Sequence, residues 1–469
     1  MKKQWLAVLA LLVCTLAWGA ARGHRGTPGG EVTGGGTTVS AGVAGVEFHA
    51  QLDRNAVLAG SDGRVVLELG IVAPASSGAN SLPTDVVVVL DRSGSMNGEK
   101  LEHARAAIHS LVAGLRSEDR FALVSYAHHA RIDFPLQYAT PERKAGWSST
   151  ATSIAAHGGT NLAAGLDQAL ALVDGALQQG RAARVLLLSD GLANEGDTSR
   201  DGLRNRASRA ARGEYILSTI GVGLEFDEEL LALLADAGTG NYHYLESARG
   251  LDHIFAVEFA SARETVAEAL RVVLDLPDGA DVLDAAGYPL ERSGSEVSFR
   301  PGALFSGQNR RIGVSLRVPT SVGERHVLRD VRLEFRAAGE RHAIALEEPL
   351  TIAVAEQEEE YLASVDRQGW ARSVVIDEYN ALRKRVSRAV ARGNKEEAKR
   401  EISRFATEVE AANQVLAVPE VGEQLQELRA LEAEVDDSFV GADAAKKQRS
   451  LGKSLHHEAI SDGRVGSRK

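Results

Sequence analysis

Five consecutive apolar residues, Val86 to Leu90, stand between Asp85 and Asp91 with no polar residue alternating among them. A strand with one wet face shows alternation, so an unbroken run of aliphatic residues suits a strand covered on both faces, the central position of a parallel sheet. Parallel neighbours must be joined by crossovers, usually helices. The chain from Thr84 to about Ala260 meets that demand. Apolar segments at Asp85 to Leu90, Phe121 to Ala127, Val185 to Leu188 and Tyr215 to Val222 are separated by helical segments, the first of which carries Leu101, Ala104, Ile108, Leu111 and Leu115 at helical spacing. Residues 84–260 therefore read as an α/β doubly wound, Rossmann-like domain. In such sheets ligands bind beyond the carboxyl ends of the strands, which is where Asp91 stands.

The flanking chain reads differently. Val46, Phe48 and Leu52, then Val65, Leu67, Leu69 and Ile71, fall on alternating positions and predict two half-buried strands within residues 46–83. After Ala260 alternation returns: Ile312, Val314, Leu316 and Val318 in one strand, Val331, Leu333 and Phe335 in another, predicting a β-sandwich over 261–355. Two strands alone are only marginally stable, so the N-terminal pair is expected to complete this later sandwich, with the α/β domain inserted between its parts. Residues 356–437 turn helical. Gly393-Asn394 and Val418-Pro419 mark breaks between two or three packed helices, and residues 438–469 read as a disordered polar tail.

At the N-terminus, Lys2 and Lys3 precede an apolar segment from Trp5 to Trp18 and the small residues Gly19, Ala20 and Ala21. This is the pattern of a secretory signal peptide, 1–21, with cleavage after Ala21 or, alternatively, after Ala20 or Ala17. It predicts a secreted, periplasmic or cell-envelope protein with no transmembrane segment in the mature chain; lipid anchoring through Cys14 is the alternative. Cys14 is the only cysteine, so cleavage leaves no thiol for a disulfide, a nucleophile or a zinc site. Residues 22–45, rich in Gly and Thr, read as a flexible spacer. A net charge of -11 argues against a nucleic-acid partner, which calls for a basic surface.

Asp91, Ser93 and Ser95 alternate with Arg92 and Gly94, so in an extended turn their three oxygen-bearing side chains can converge. Hard divalent cations take such oxygens, Mg²⁺ at about 2.0 to 2.1 Å in octahedral geometry. Asp and Ser are equally ordinary helix N-caps, and this stretch alone leaves both readings open. Two further stretches bear on the choice: Gly158-Gly159-Thr160-Asn161 precedes an apolar helix, and the strand at Val185 runs into Ser189-Asp190-Gly191. If that strand lies beside the first, Asp190 and Asp91 emerge at the same sheet edge.

In these residues the stretch from Thr84 to Ala260 resembles a von Willebrand factor type A domain, whose metal-ion-dependent adhesion site is written Asp-x-Ser-x-Ser, then Thr, then Asp. The resemblance implies a metal site of Asp91, Ser93, Ser95, Thr160 and Asp190. Ser93 and Ser95 would bind directly, Thr160 directly or through water, and Asp91 and Asp190 behind ordered waters. It implies Mg²⁺, with Mn²⁺ or Ca²⁺ as substitutes, and a protein partner whose exposed Asp or Glu completes the coordination. Together with its flanks the chain resembles bacterial secreted relatives of inter-alpha-trypsin inhibitor heavy chains and of calcium-activated chloride channel regulators. The expected function is non-enzymatic binding; the alternative is a structural assembly module of the cell envelope whose metal is mainly stabilising. Neither reading fixes the oligomeric state.

Other signals carry less. Gly452-Lys453-Ser454 lacks the glycine of a phosphate loop, since Lys447 fills its place. Gly221-Val222-Gly223 has Phe226 where a dinucleotide fingerprint needs its last glycine. His128 and His129 suit a hairpin loop. Ser189-Asp190 has neither a nucleophile elbow nor an assigned histidine base, which leaves no case for a hydrolase.

Overall fold

The computed structural model describes residues 39–75, 82–176 and 180–464. The signal-peptide reading, including Cys14, lies outside them. The strand Thr84–Asp91 is buried at every position, and its pleat divides it between two cores. Val86, Val88 and Leu90 pack with the helices on one face, Val87 and Val89 with those on the other. Full burial of each such side chain contributes about 1.5 to 3 kcal/mol, which is why an unbroken apolar run takes the middle of a sheet. The sheet runs in the order Thr239–Leu245, Ile216–Val222, Ala182–Ser189, Thr84–Asp91, Arg120–Tyr126, Ala130–Tyr138. The first five strands are parallel and the last is antiparallel. Two of the six, Thr239–Leu245 and Ala130–Tyr138, are edge strands that the sequence reading left out. Both are half-exposed and interrupted by polar residues, so neither shows an apolar run. His128 and His129 do sit in the hairpin connection before the antiparallel edge strand.

The inserted arrangement is present. Arg64–Val72 pairs with Asn309–Arg317 on one side and with Val46–Leu52 on the other, so strands from before and after the α/β domain share one five-stranded sheet. A second sheet centred on Thr265–Asp275 packs on it across a common core that includes Phe48, Leu67, Phe299, Val314 and Leu333. Both junctions with the α/β domain are fastened to one fully buried carboxylate. Asp119 Oδ1 accepts the backbone N–H of Thr84 at 2.9 Å and Oδ2 accepts Arg263 Nη2 at 2.8 Å.

Two expectations are corrected. The spacer ends earlier than residue 45, because Val39–Val43 is a strand paired with Val46–Leu52. Ala44 and Gly45 both have positive φ, 53° and 78°, the backbone of a two-residue hairpin turn whose twist matches that of the flanking strands. The expected disordered tail is likewise folded: Ala444–Arg464 is a helix. It joins Tyr379–Ala391, Lys395–Leu416 and Pro419–Ser438 as a fourth long helix around a core of Leu382, Val386, Val390, Phe405, Val421 and Leu455. Leu451 and Leu455 supply an apolar stripe that Gly452 makes compact, and Gly452 O accepts Ser387 Oγ at 2.7 Å.

The same helix docks on the α/β domain. Ile460 enters that domain's core, Arg449 pairs with Glu225 at 2.7 Å, and Lys453 donates to Phe226 O at 2.8 Å and to Glu228 at 2.5 Å. Lys453 is thus a docking residue inside a helix, not part of a phosphate loop. His457 stands edge-on to Tyr242, and burial, helped by the neighbouring His243, holds its imidazole down to about 4 from an ordinary 6.5. The unfolded chain takes up a proton below about pH 6.5 that the folded chain refuses. The stability of this contact is therefore complete above pH 6.5 and is lost as pH falls through 4. His457→Phe is expected to flatten the melting temperature against pH between 7 and 4; an unchanged acid slope in differential scanning calorimetry would refute this.

Candidate metal centre

The site begins where the central strand stops being apolar. Asp91 closes the strand, and the chain turns through Gly94–Met96 into the helix Glu99–Gly114. Asp91 is fully buried, so each of its oxygens needs a donor. Oδ1 accepts the backbone N–H of Ser93 at 2.8 Å; Oδ2 accepts Ser189 Oγ at 3.0 Å and the Tyr126 hydroxyl at 3.3 Å. Burial pushes the Asp91 carboxyl up to about 6; Asp190 adds to the rise, and the bonds from Ser93 and Ser189 oppose it.

Asp190 follows the neighbouring parallel strand Ala182–Ser189, as expected from two strands ending at one sheet edge. Its Oδ1 accepts Ser95 Oγ at 2.7 Å, and Ser95 Oγ is 3.1 Å from Ser93 Oγ. Thr160, buried, reaches the cluster over Gly191. A Cβ built at Gly191 would lie 3.4 Å from Ser95 Oγ and 3.6 Å from Thr160 Oγ1, so the two hydroxyls flank the same small space beside this glycine.

Backbone hydrogen bonds stitch the three loops together. Gly94 N donates to Gly158 O at 3.0 Å, His157 N to Arg92 O at 2.8 Å, and Asn194 N to Thr160 O at 3.2 Å. Gly158 has φ +78°, and a Cβ there would lie 2.6 Å from the His128 ring, so the first glycine of the Gly-Gly-Thr loop is required twice over. All five residues singled out from sequence thus come together: Asp91, Ser93, Ser95 and Asp190 through hydrogen bonds, Thr160 beside them.

Their donor chemistry is all oxygen, three hydroxyls and two carboxylates, which suits a hard divalent cation rather than a soft one. Among the described residues no group of three or more His, Cys, Asp or Glu side chains stands together, in keeping with a cluster whose donors are mostly hydroxyls. Several supporting residues escaped the sequence reading. Tyr126 pairs in register with Asp91 and so was implied by the parallel sheet itself. Asn194, whose side chain accepts the Thr160 N–H at 2.8 Å, and Lys100, which donates to Asp190 Oδ2, show no local signal.

Comparison with known proteins bears on the fold that carries these residues. The von Willebrand factor type A domain family matches residues 85–257. The uncharacterized protein sll0103 of Synechocystis sp. is 25% identical over 315 residues, covering 64% of this chain and 73% of that protein. The uncharacterized Escherichia coli protein YfbK is 28% identical over 214 residues, 45% of this chain and 37% of its own length. Human inter-alpha-trypsin inhibitor heavy chain H4 is 31% identical over 183 residues, 37% and 20% respectively. Of the last two relatives the chain spans well under half. Among solved structures, a von Willebrand factor type A protein from Catenulispora acidiphila has TM-score 0.65 at 18% identity, covering 90% of this chain and 97% of that one. The ArnB paralog VWA2 from Sulfolobus acidocaldarius has TM-score 0.56 at 17% identity, covering 90% and 100%. At such identity the likeness concerns fold alone, and it extends past the α/β domain into the sandwich and helices. Residues 85–257 of this chain are a von Willebrand factor type A domain.

Proposed function

We propose that the chain is a non-enzymatic binding protein that holds an acidic side chain of a partner protein through a divalent cation, Mg²⁺ first, with Mn²⁺ or Ca²⁺ as substitutes. The observation that carries the reading is the chain of oxygens in which Ser95 Oγ lies 3.1 Å from Ser93 Oγ and 2.7 Å from Asp190 Oδ1, with Thr160 across Gly191. A bound cation would supply a positive centre with a position left for an external carboxylate. The protein's part is to fix its own oxygens beforehand: Tyr126 and Ser189 orient Asp91, and Asn194 holds the Thr160 loop. Ser95 is exposed, so the cluster opens to solvent, and Leu192, 58% exposed, offers an apolar contact beside it. Of the rim histidines, His128 pairs with Glu195 at 2.5 Å and His157 with Arg92. The leader reading of residues 1–21 supports an activity outside the cytoplasm; among the described residues no helix is long and apolar enough to cross a membrane.

Isothermal titration of Mg²⁺ into the chelator-stripped chain is expected to show one site. A protein partner captured on the immobilised chain in Mg²⁺ is expected to be released by excess chelator, and equal retention in chelator would overturn the proposal. The second reading, a structural assembly module with a stabilising metal, is favoured by the docked helix Ala444–Arg464, which gives the helical region a firm hold on the α/β domain. It expects association to survive chelator and to be lost on deletion of residues 358–469.

A further inference from the structure

Lys100 is the second residue of the helix Glu99–Gly114, an end that favours anions over cations. It is held there by Asp190, whose Oδ2 accepts its ammonium while Oδ1 accepts Ser95. The side chain lies over the loop that leaves Ile216–Val222. A Cβ at Gly223 would be 3.5 Å from both Lys100 Cε and Nζ, ordinary contact distance, so the lysine arm lies directly against this loop, where φ +82° favours glycine. Asp190 is fully buried, whereas the Lys100 side chain is 31% exposed.

Charge counting gives the arrangement a meaning. Two buried carboxylates this close need positive charge, and Lys100 is the cation paired with Asp190. We infer that Lys100 is a tethered cation that restrains metal binding at Asp190 and, once the site is loaded, strengthens the capture of one partner carboxylate. The inference rests on the metal-site reading above. Asp91 and Asp190 contribute two negative charges; Lys100 and a divalent cation contribute three positive ones. The loaded site is left one positive charge in excess, which a single carboxylate neutralises. Without Lys100 the loaded site is already neutral, so it binds metal better and an anion worse.

The test uses the full chain and three proteins: wild type, Lys100→Gln and Lys100→Arg, each checked for folding by circular dichroism melting. Mg²⁺ affinity is read by isothermal titration, and carboxylate affinity by the relaxation that bound Mn²⁺ imposes on acetate methyl protons. Lys100→Gln is expected to bind Mg²⁺ roughly tenfold more tightly and acetate roughly tenfold more weakly, with Lys100→Arg close to wild type. A Lys100→Gln protein that matches wild type in both affinities, or that binds Mg²⁺ more weakly, overturns the inference. So does a Lys100→Arg protein that behaves like Lys100→Gln. A wild-type chain that shows no Mg²⁺ binding overturns the metal-site reading itself.

Discussion

Replacing Ser93 and Ser95 together by alanine is expected to weaken Mg²⁺ binding by at least about a hundredfold while the metal-free protein stays folded. The two hydroxyls are the centre of the cluster, 3.1 Å apart, and Ser95 is exposed. Their loss costs the fold three hydrogen bonds, one between them, one from Ser95 to Asp190 and one from Ser93 to Asp91, each contributing about 0.5 to 1.5 kcal/mol, with the Ser93 N–H still donating to Asp91 and Lys100 still paired to Asp190. Asp91→Ala is a poorer probe. It strips the acceptor from the Ser93 N–H, at a cost of about 1 to 3 kcal/mol for a buried donor left unpaired, and leaves Tyr126 and Ser189 with only the Leu188 and Gly191 carbonyls. Loss of binding in that variant would report on folding as much as on the site. Titration calorimetry and a thermal melt on the double serine variant separate the two, and undiminished Mg²⁺ affinity would refute the assignment.

Truncation after Gly441 is expected to lower the unfolding temperature of the helical region by at least about 10 °C and to expose apolar surface to a hydrophobic dye. The removed helix buries Leu455 in the helical core and Ile460 in the α/β core, about 1.5 to 3 kcal/mol each. Its departure also uncovers the face of Tyr379–Ala391 on which Ser387 meets Gly452. Lys453 leaves Glu228 and the Phe226 carbonyl without their partner. A chain with several cores need not unfold in one step, so the measurement is the calorimetric transition of each part rather than a single midpoint. Coincident traces for the full and truncated chains would refute the docking.

Two kinds of information were unequally written in the sequence. Burial on both faces leaves an unbroken apolar run, so the central strand, its parallel neighbours and the sheet edge that gathers Asp91 and Asp190 could be read directly. Alternation in Val65 to Ile71 and Ile312 to Val318 revealed half-buried strands, and their pairing as Arg64–Val72 with Asn309–Arg317 followed from the instability of an isolated hairpin. Edge strands such as Ala130–Tyr138 lack either signature because one face and one edge are wet. The C-terminal helix was hidden for another reason. Its stability comes from tertiary docking, and residues such as Lys453 and His457, polar by type, are buried by partners more than two hundred positions away. At the site, ligand-type residues announce themselves by chemistry, whereas Lys100 and Asn194 act only through folded geometry.

The shared anchoring of both junctions at Asp119 has a mechanical consequence. The chain passes from the sandwich into the α/β domain at Thr84 and returns to it at Arg263, two points held by one carboxylate, while the candidate centre lies at the far end of the strand that begins at Thr84. Across these junctions the chain comes from Arg64–Val72 and continues into Thr265–Asp275, each hydrogen-bonded to neighbours on both sides. Strands pulled lengthwise within a sheet must break several ladder bonds at once, whereas a strand peeled from an edge gives them up in turn. Both junctions thus lead to interior strands of their sheets, so neither can be peeled away one bond at a time.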